Sequence, residues 1–255
     1  MDIKTLSNPP IVEALLEIRF NPNKKIEVQA LENFADSILQ KYPKRESLED
    51  QSFKFVYKKG EDAHHDFQVQ PSGFKSTNAE GNRVVIGAID KFIVSSLAPY
   101  SPWPDLKKTA EDLYKEYLEF APQTEVTRLG MRYINRINIP YKEGFIFQKF
   151  INTFPSLPRH EELPKSTSGF ETVVVMRHED IDCISTIRQV LLEMEGNVES
   201  GSAFIPFVLD IDVFQEKSYV DVNAEEVWEV FDKMRIKKNA IFFGSLTDEA
   251  LTPYE

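Results

Sequence analysis

Three arginines at four-residue spacing are the residues of this sequence best suited to binding an anionic group. Arg128, Arg132 and Arg136 lie in residues 125–139, whose side chains alternate in a strand-like way. Side chains two positions apart share one face of a strand, so the three guanidinium groups are expected in one row, roughly 13 Å apart at about 3.3 Å per residue. A guanidinium group holds a carboxylate or phosphate through two parallel hydrogen bonds, which makes this row a candidate anion site.

Carboxylates stand at matching positions in two other alternating segments, residues 11–20 and 204–214. In each segment they occupy the parity opposite a row of apolar side chains. If the three segments pair in one sheet, one face of that sheet carries arginines beside carboxylates. The further candidate residues on these two segments are Glu13, Glu17, Arg19, Asp210 and Asp212.

This charged face has three interpretations. The first is cross-strand ion pairing on a solvated sheet face, where each pair contributes about 0.2–1 kcal/mol. The second is a binding surface for an anionic small ligand or a partner segment. The third is an enzyme for a phosphorylated or nucleotide substrate, in which Asp210 and Asp212 hold a divalent cation, although no third ligand follows at a fixed spacing.

No other residue set predicts a catalytic centre. The sequence has no Gly-x-Ser-x-Gly elbow and no phosphate-binding glycine spacing, and its single cysteine cannot form a metal-binding pair. Adjacent His64 and His65 would point to opposite faces of a strand, which favours two surface histidines. Cys183 alternates with apolar neighbours and is expected to be a buried thiol. We therefore assign no catalytic residue, no cofactor and no metal.

Composition limits the classes of partner. The chain of 255 residues has 30 basic and 41 acidic side chains, a net charge of −11, which disfavours nonspecific binding to nucleic acid or to an anionic membrane. One cysteine excludes an intrachain disulfide and suits a cytoplasmic setting. The N-terminal residues lack a secretory pattern, and no apolar segment approaches the roughly 20 residues of a membrane span. A homodimer stays open.

Hydrophobic periodicity predicts the elements that position the charged residues. In the first part, a strand (11–20) and a helix (26–42) precede hairpin strands between 52 and 97, with a turn at Pro71-Ser72-Gly73, and then a helix begins after Ser101. In the second part, a long strand, a short helical piece and hairpin strands precede a helix capped by Asn223. A final strand is predicted at 240–244.

The two parts share an order of strand, helix, hairpin strands and helix. We interpret them as similar halves, residues 1–122 and 123–255, joined in one body. The predicted fold class is α+β: a large antiparallel sheet whose one face is covered by amphipathic helices.

Four segments spread over nearly the whole chain carry a family resemblance. They are Asn8-Pro9-Pro10-Ile11-Val12-Glu13-Ala14 with Glu17-Ile18-Arg19-Phe20, Thr127-Arg128-Leu129-Gly130 with Arg132-Tyr133-Ile134-Asn135-Arg136-Ile137, Leu209-Asp210-Ile211-Asp212-Val213-Phe214, and Lys238-Asn239 through Gly244-Ser245-Leu246-Thr247-Asp248. They resemble a sporadically distributed bacterial family of unknown function. The resemblance implies a free-standing bacterial cytosolic protein, and the patchy distribution would fit defence or toxin–antitoxin loci. It supplies no catalytic residues.

The leading hypothesis from the sequence is a non-enzymatic binding protein. It would use the charged face, centred on Arg128, Arg132 and Arg136, to hold an anionic ligand or a partner segment. The alternatives are the metal-dependent enzyme described above and an antitoxin-like or defence accessory protein whose acidic surface meets a basic partner.

Overall fold

The computed structural model describes most of the chain. The described residues are 6–23, 25–56, 64–142, 145–156, 158, 160–163, 167–222 and 225–255, without the side chains of 51–56 and 64–69. The predicted helix cap Asn223 and the side chains of His64 and His65 lie outside the described part.

Within these described ranges, nine strands form one antiparallel sheet, which confirms the predicted α+β class. Their spatial order is β2-β3-β4-β5-β1-β6-β9-β8-β7. The strands are β1 (Ile11–Phe20), β2 (Lys44–Val56), β3 (His64–Thr77), β4 (Arg83–Ala88), β5 (Lys91–Leu97), β6 (Val126–Pro140), β7 (Glu171–His178), β8 (Cys183–Leu191) and β9 (Phe204–Gln215).

Amphipathic helices cover the apolar rows of this sheet. Leu31 and Phe34 of the first helix and Leu106 and Tyr117 of the second are buried in the same core as the sheet residues. None of the helices in the described parts of the chain combines the length and the apolar character that crossing a membrane requires. The α-helices are α1 (Val28–Ser37), α2 (Trp103–Phe120), α3 (Glu225–Ser245) and α4 (Asp248–Leu251).

Strands β1 and β6 pair at the centre of the sheet, where Leu16 lies opposite Met131. On each side the first strand of the half pairs with the last strand before the long helix, β1 with β5 and β6 with β9. The topology therefore repeats along the chain. The division into two similar halves at residues 122 and 123 stays a prediction, because a shared strand order also arises without duplication.

Two predicted elements are wrong. Residues 240–244 continue α3 and do not form a strand, because Phe242 lies on the same helical stripe as Met234 and is buried with it. Residues 71–73 do not form a turn, because β3 continues through them beside β2. A register shift opposite Leu48 and Glu49 makes a bulge there, and a bulge is one of the few places in a sheet that accept proline.

Candidate functional site

The structure brings the predicted charged residues together on one face of the sheet. Strands β1, β6 and β9 are neighbours, and Arg132 lies directly opposite Asp212 in the ladder between β6 and β9. The rows that alternate with these residues, such as Tyr133 and Ile211, are buried under the helices. The arginines and carboxylates therefore share the face that the sequence predicted.

Arg132 forms a two-pronged ion pair with Asp210. Its Nε and Nη2 atoms donate to the two carboxylate oxygens at 2.8 and 2.6 Å. The Asp210 side chain is 12% exposed and the Arg132 side chain 43% exposed. The hydrogen bond to Asp210, which outweighs the effect of burial, raises the pKa of Arg132 above its ordinary value.

Arg128 joins all three central strands. It donates to Glu17 of β1 and, at 3.0 Å, to Asp212 of β9, while its guanidinium carbon lies 4.6 Å from the centroid of the Phe214 ring. Glu17 also accepts from Nε of Arg19 at 2.8 Å. Burial raises the pKa of Asp212, although the positive charge of Arg128 opposes this shift.

The third arginine, Arg136, pairs with a carboxylate that was not among the residues predicted from the sequence. Nη2 of Arg136 donates to both oxygens of Glu195, at 2.7 and 2.8 Å, and Glu195 lies in the segment between β8 and β9. Glu13 lies opposite Ile134, and its charge contributes to the raised pKa of Arg132.

These contacts favour the structural interpretation of the charged face. Each of the three predicted arginines already has a carboxylate partner, so an incoming anion would have to displace a side chain. Asp210 and Asp212 likewise face arginines, and the described residues contain no group of three His, Cys, Asp or Glu side chains that could hold a metal ion. Ligand binding at this face stays a prediction.

The opposite face of the same strands forms a pocket. A cavity of about 510 Å³ lies between the β1–β6 pair, the start of α2 and the C-terminal half of α3. This volume lies within the usual range for small-molecule sites. The described residues that line the cavity are Leu6, Ser7, Pro9, Ile11, Tyr100, Pro102, Trp103, Pro104, Tyr133, Asn135, Arg235, Lys238, Asn239, Phe242 and Phe243. We call this site the helix–sheet pocket.

Lys238 is the unusual residue of the helix–sheet pocket. It lies on the buried stripe of α3 between Met234 and Phe242, and it is only 9% exposed. Its Nζ atom lies 4.1 Å from the centroid of the Tyr133 ring. Within the described part of the chain, no side chain or backbone group forms a hydrogen bond or ion pair with it. Burial, followed by the positive charge of Arg235, lowers the pKa of Lys238 to about 7. A bound anion would favour the charged ammonium form, because it would supply the missing counter-charge.

A second basic residue, Arg235, lies three residues before Lys238 on the same helix. Arg235 also lines the pocket, and its guanidinium carbon lies 5.8 Å from the centroid of the Trp103 ring. The Trp103 indole is fixed in turn, because its Nε1 atom donates to Asp232 at 3.0 Å. The described lining therefore holds two basic side chains and no carboxylate, in a chain whose net charge is −11.

Neutral polar groups complete the pocket. The hydroxyl oxygens of Tyr100 and Tyr133 lie 3.1 Å apart. Asn135 is 1% exposed and donates from Nδ2 to the carbonyl oxygen of Leu209 at 2.9 Å. None of the described residues donates to its amide oxygen. Hydroxyl and amide groups of this kind can orient a bound polar group.

Sequence reasoning missed this pocket although two signals were present. Lys238 continues the helical spacing of Phe231, Met234 and Phe242, which places a lysine on a core stripe. Asn135 interrupts the apolar row of β6 that includes Tyr133 and Ile137. Polar residues at core positions are the exception that calls for an explanation.

No protein-family model and no curated protein matches the chain. The resemblance to the bacterial family therefore stays a prediction. Three of the four segments that carry it contribute to the pocket: they supply Pro9 and Ile11, Tyr133 and Asn135, and Lys238 and Asn239.

Proposed function

We propose that the protein is a non-enzymatic binding protein that holds a small organic anion in the helix–sheet pocket. The anionic group lies beside Lys238 and Arg235, and an aromatic or aliphatic body fills the apolar remainder of the cavity. The ligand class agrees with the anionic ligand expected from the sequence, but the site moves from the paired arginine row to the opposite face. The lone cysteine supports a cytoplasmic setting.

The buried ammonium group of Lys238 is the observation that carries this proposal. An ion pair with a bound anion would offset the cost of its burial, and no described residue does so. By contrast, Arg132 on the other face already has both prongs occupied by Asp210. An anion gains more at the unpaired cation than at the paired one.

The walls of the pocket set the rest of the ligand chemistry. Pro9, Ile11, Phe242 and Trp103 supply apolar and aromatic surface around the two cations. A strongly hydrated inorganic anion would leave this surface unused, whereas an organic anion with a ring or a short alkyl body covers it. The proposed ligands are therefore amphiphilic carboxylates, sulfonates or phosphates.

Fluorescence titration with 1-anilinonaphthalene-8-sulfonate tests the proposal, because this probe joins an aromatic body to one negative charge. We expect saturable binding by the folded protein, and at least a tenfold higher Kd in the Lys238→Met and Arg235→Met variants. N-phenyl-1-naphthylamine, which has a similar body without the charge, should bind more weakly and respond little to either substitution.

Lys237 offers a matched control on the same helix. Its Nζ atom pairs with Asp180 and it does not line the pocket. The Lys237→Met variant should bind the sulfonate probe as the wild type does. Equal binding by the Lys238→Met and wild-type proteins, or equal losses in the Lys237 and Lys238 variants, would contradict the proposal.

A further inference from the structure

We infer that the edge strand β7 pairs with its own copy in a second molecule, which makes the protein a two-fold symmetric dimer with a continuous sheet. The proposal concerns an edge of the sheet and does not depend on the helix–sheet pocket. Strand β7 (Glu171–His178) is the last strand of the sheet, so no strand among the described residues pairs with one row of its backbone amide and carbonyl groups.

Four consecutive apolar side chains are exposed on this strand. Val173, Val174, Val175 and Met176 are 57%, 45%, 65% and 44% exposed. Side chains alternate between the two faces of a strand, so apolar surface is exposed on both sides of this edge. An exposed apolar edge is a template for pairing with another strand, and natural proteins normally protect such edges with charge.

The other edge of the sheet has that protection. The described side chains of β2 include five charged residues among its first seven: Lys44, Arg45, Glu46, Glu49 and Asp50. All five are exposed. The contrast identifies β7, and not β2, as the edge that a second strand covers.

The sequence of β7 is complementary to itself. Along an antiparallel pair of strands, directly opposite residues alternate between hydrogen-bonded and non-hydrogen-bonded pairs. A two-fold axis cannot pass between two adjacent pairs, because it would make these two different types equivalent. The axis must therefore pass through one pair, in which a residue lies opposite its own copy. When Val174 takes this position, Val173 lies opposite Val175 and Glu171 lies opposite Arg177 of the second copy. A shift of the axis to Val173 or Val175 loses the pairing of Glu171 with Arg177.

Glu171 and Arg177 are both accessible for an ion pair between two copies of β7. Glu171 accepts a hydrogen bond from Nε of Arg188 at 2.8 Å, yet its side chain remains 53% exposed. Arg177 is exposed on the same face of the strand. The same contacts occur twice across the two-fold axis, with an all-aliphatic centre between them. A second copy of this chain therefore fits the edge in shape, polarity and charge.

Sedimentation velocity of the full chain tests the dimer. We expect a wild-type dimer and at least a tenfold higher dimer dissociation constant in the Val174→Lys variant. Val175→Lys, on the other face of the same strand, is a second variant with the same expected effect. Val220→Lys is the matched control, because Val220 is 84% exposed and lies outside the strand, and it should remain dimeric. Far-UV circular dichroism spectra that match the wild-type spectrum would show that the variants fold.

Oxidative cross-linking tests the register. The Val174→Cys variant should form an intermolecular disulfide across the two-fold axis, whereas Val220→Cys should not. The native Cys183 is 1% exposed and does not compete. A monomeric wild-type protein, or a dimer that survives both lysine substitutions on β7, would overturn the proposal. If the wild-type protein is a monomer, a peptide of another protein, and not a second copy of this chain, would be the partner of strand β7.

Discussion

The Nζ atom of Lys238 lies 4.1 Å from the centroid of the Tyr133 ring, and this contact joins the core stripe of α3 to the central strand β6. The ring attracts the ammonium form, whereas the buried site opposes it. Burial, followed by the positive charge of Arg235, lowers the pKa of Lys238 to about 7. The charge state of this residue therefore changes near neutral pH.

Replacement of Lys238 by Met should stabilise the protein. The lysine has an unfolded-state pKa of 10.5 and a folded-state pKa of about 7, so between these values the unfolded chain binds a proton that the folded chain has lost. Stability of the wild type consequently rises with pH across this window, and the destabilising effect of Lys238 is largest below pH 7.

We expect the free energy of unfolding to increase on Lys238→Met substitution by roughly 2–3 kcal/mol more at pH 6 than at pH 9, since one pKa unit corresponds to about 1.4 kcal/mol. Urea unfolding at the two pH values measures this difference, with Lys237→Met as the control. A variant that loses stability equally at both values would show that the ammonium group is not strained.

Anion binding should weaken as pH rises. Below pH 7 the free protein already carries the ammonium form of Lys238, whereas above pH 7 binding of an anion must also bind a proton. The Kd for the sulfonate probe should therefore rise by up to about tenfold per pH unit above 7, because tenfold in Kd equals about 1.4 kcal/mol. Calorimetry at pH 8 in buffers of different ionisation enthalpy measures the proton uptake. Identical binding enthalpies in all buffers would contradict proton uptake on anion binding.

The arginine row should contribute to stability in the described pairs. Arg132→Ala removes both hydrogen bonds to Asp210, whose side chain is 12% exposed, and should cost about 1–3 kcal/mol. The Arg132→Met/Asp210→Leu double variant removes both charges and should cost less than the single substitution. Lys108→Ala, in an exposed pair with Asp112 on α2, is the control and should change stability by about 0.5 kcal/mol or less. Denaturant unfolding measures all three.

Gly130 leaves the space that the Arg128 side chain occupies, so a larger residue at position 130 should disrupt the Arg128 contacts. A Cβ atom there would overlap with Nη1 of Arg128, the atom that donates to Glu17. Gly130→Ala should therefore destabilise the protein by about 1–2 kcal/mol, comparable to the loss of a charged hydrogen bond. The same substitution in an Arg128→Ala background should have little effect. Gly244→Ala is the control: no atom lies within 4 Å of its Cβ position, and alanine favours the helix there.

The sequence predicted the elements with strong periodicity and missed residues that depend on tertiary contacts. The alternation of β6 and that of β9 correctly placed Arg132 and Asp210 on the charged side of their strands, because strand alternation is a local property. The strand proposed at 240–244 failed because two adjacent phenylalanines favour a strand locally, whereas the buried stripe of α3 extends through Phe242. Glu195, the partner of Arg136, lies outside the paired strands, so no spacing rule could identify it.

The alternation of β6 has a consequence for assembly of the sheet. Arg132 and Arg136 alternate along this strand with Tyr133 and Asn135, so a displacement of one residue in its pairing would exchange the two faces. Mispaired chains would then carry guanidinium groups into the space beneath the helices and expose the pocket residues to water. The energetic penalty for burying several unpaired guanidinium groups is larger than the contribution of any one of these ion pairs. The row of arginines thus favours the native register of β6, in addition to the contribution of each ion pair to the stability of the fold.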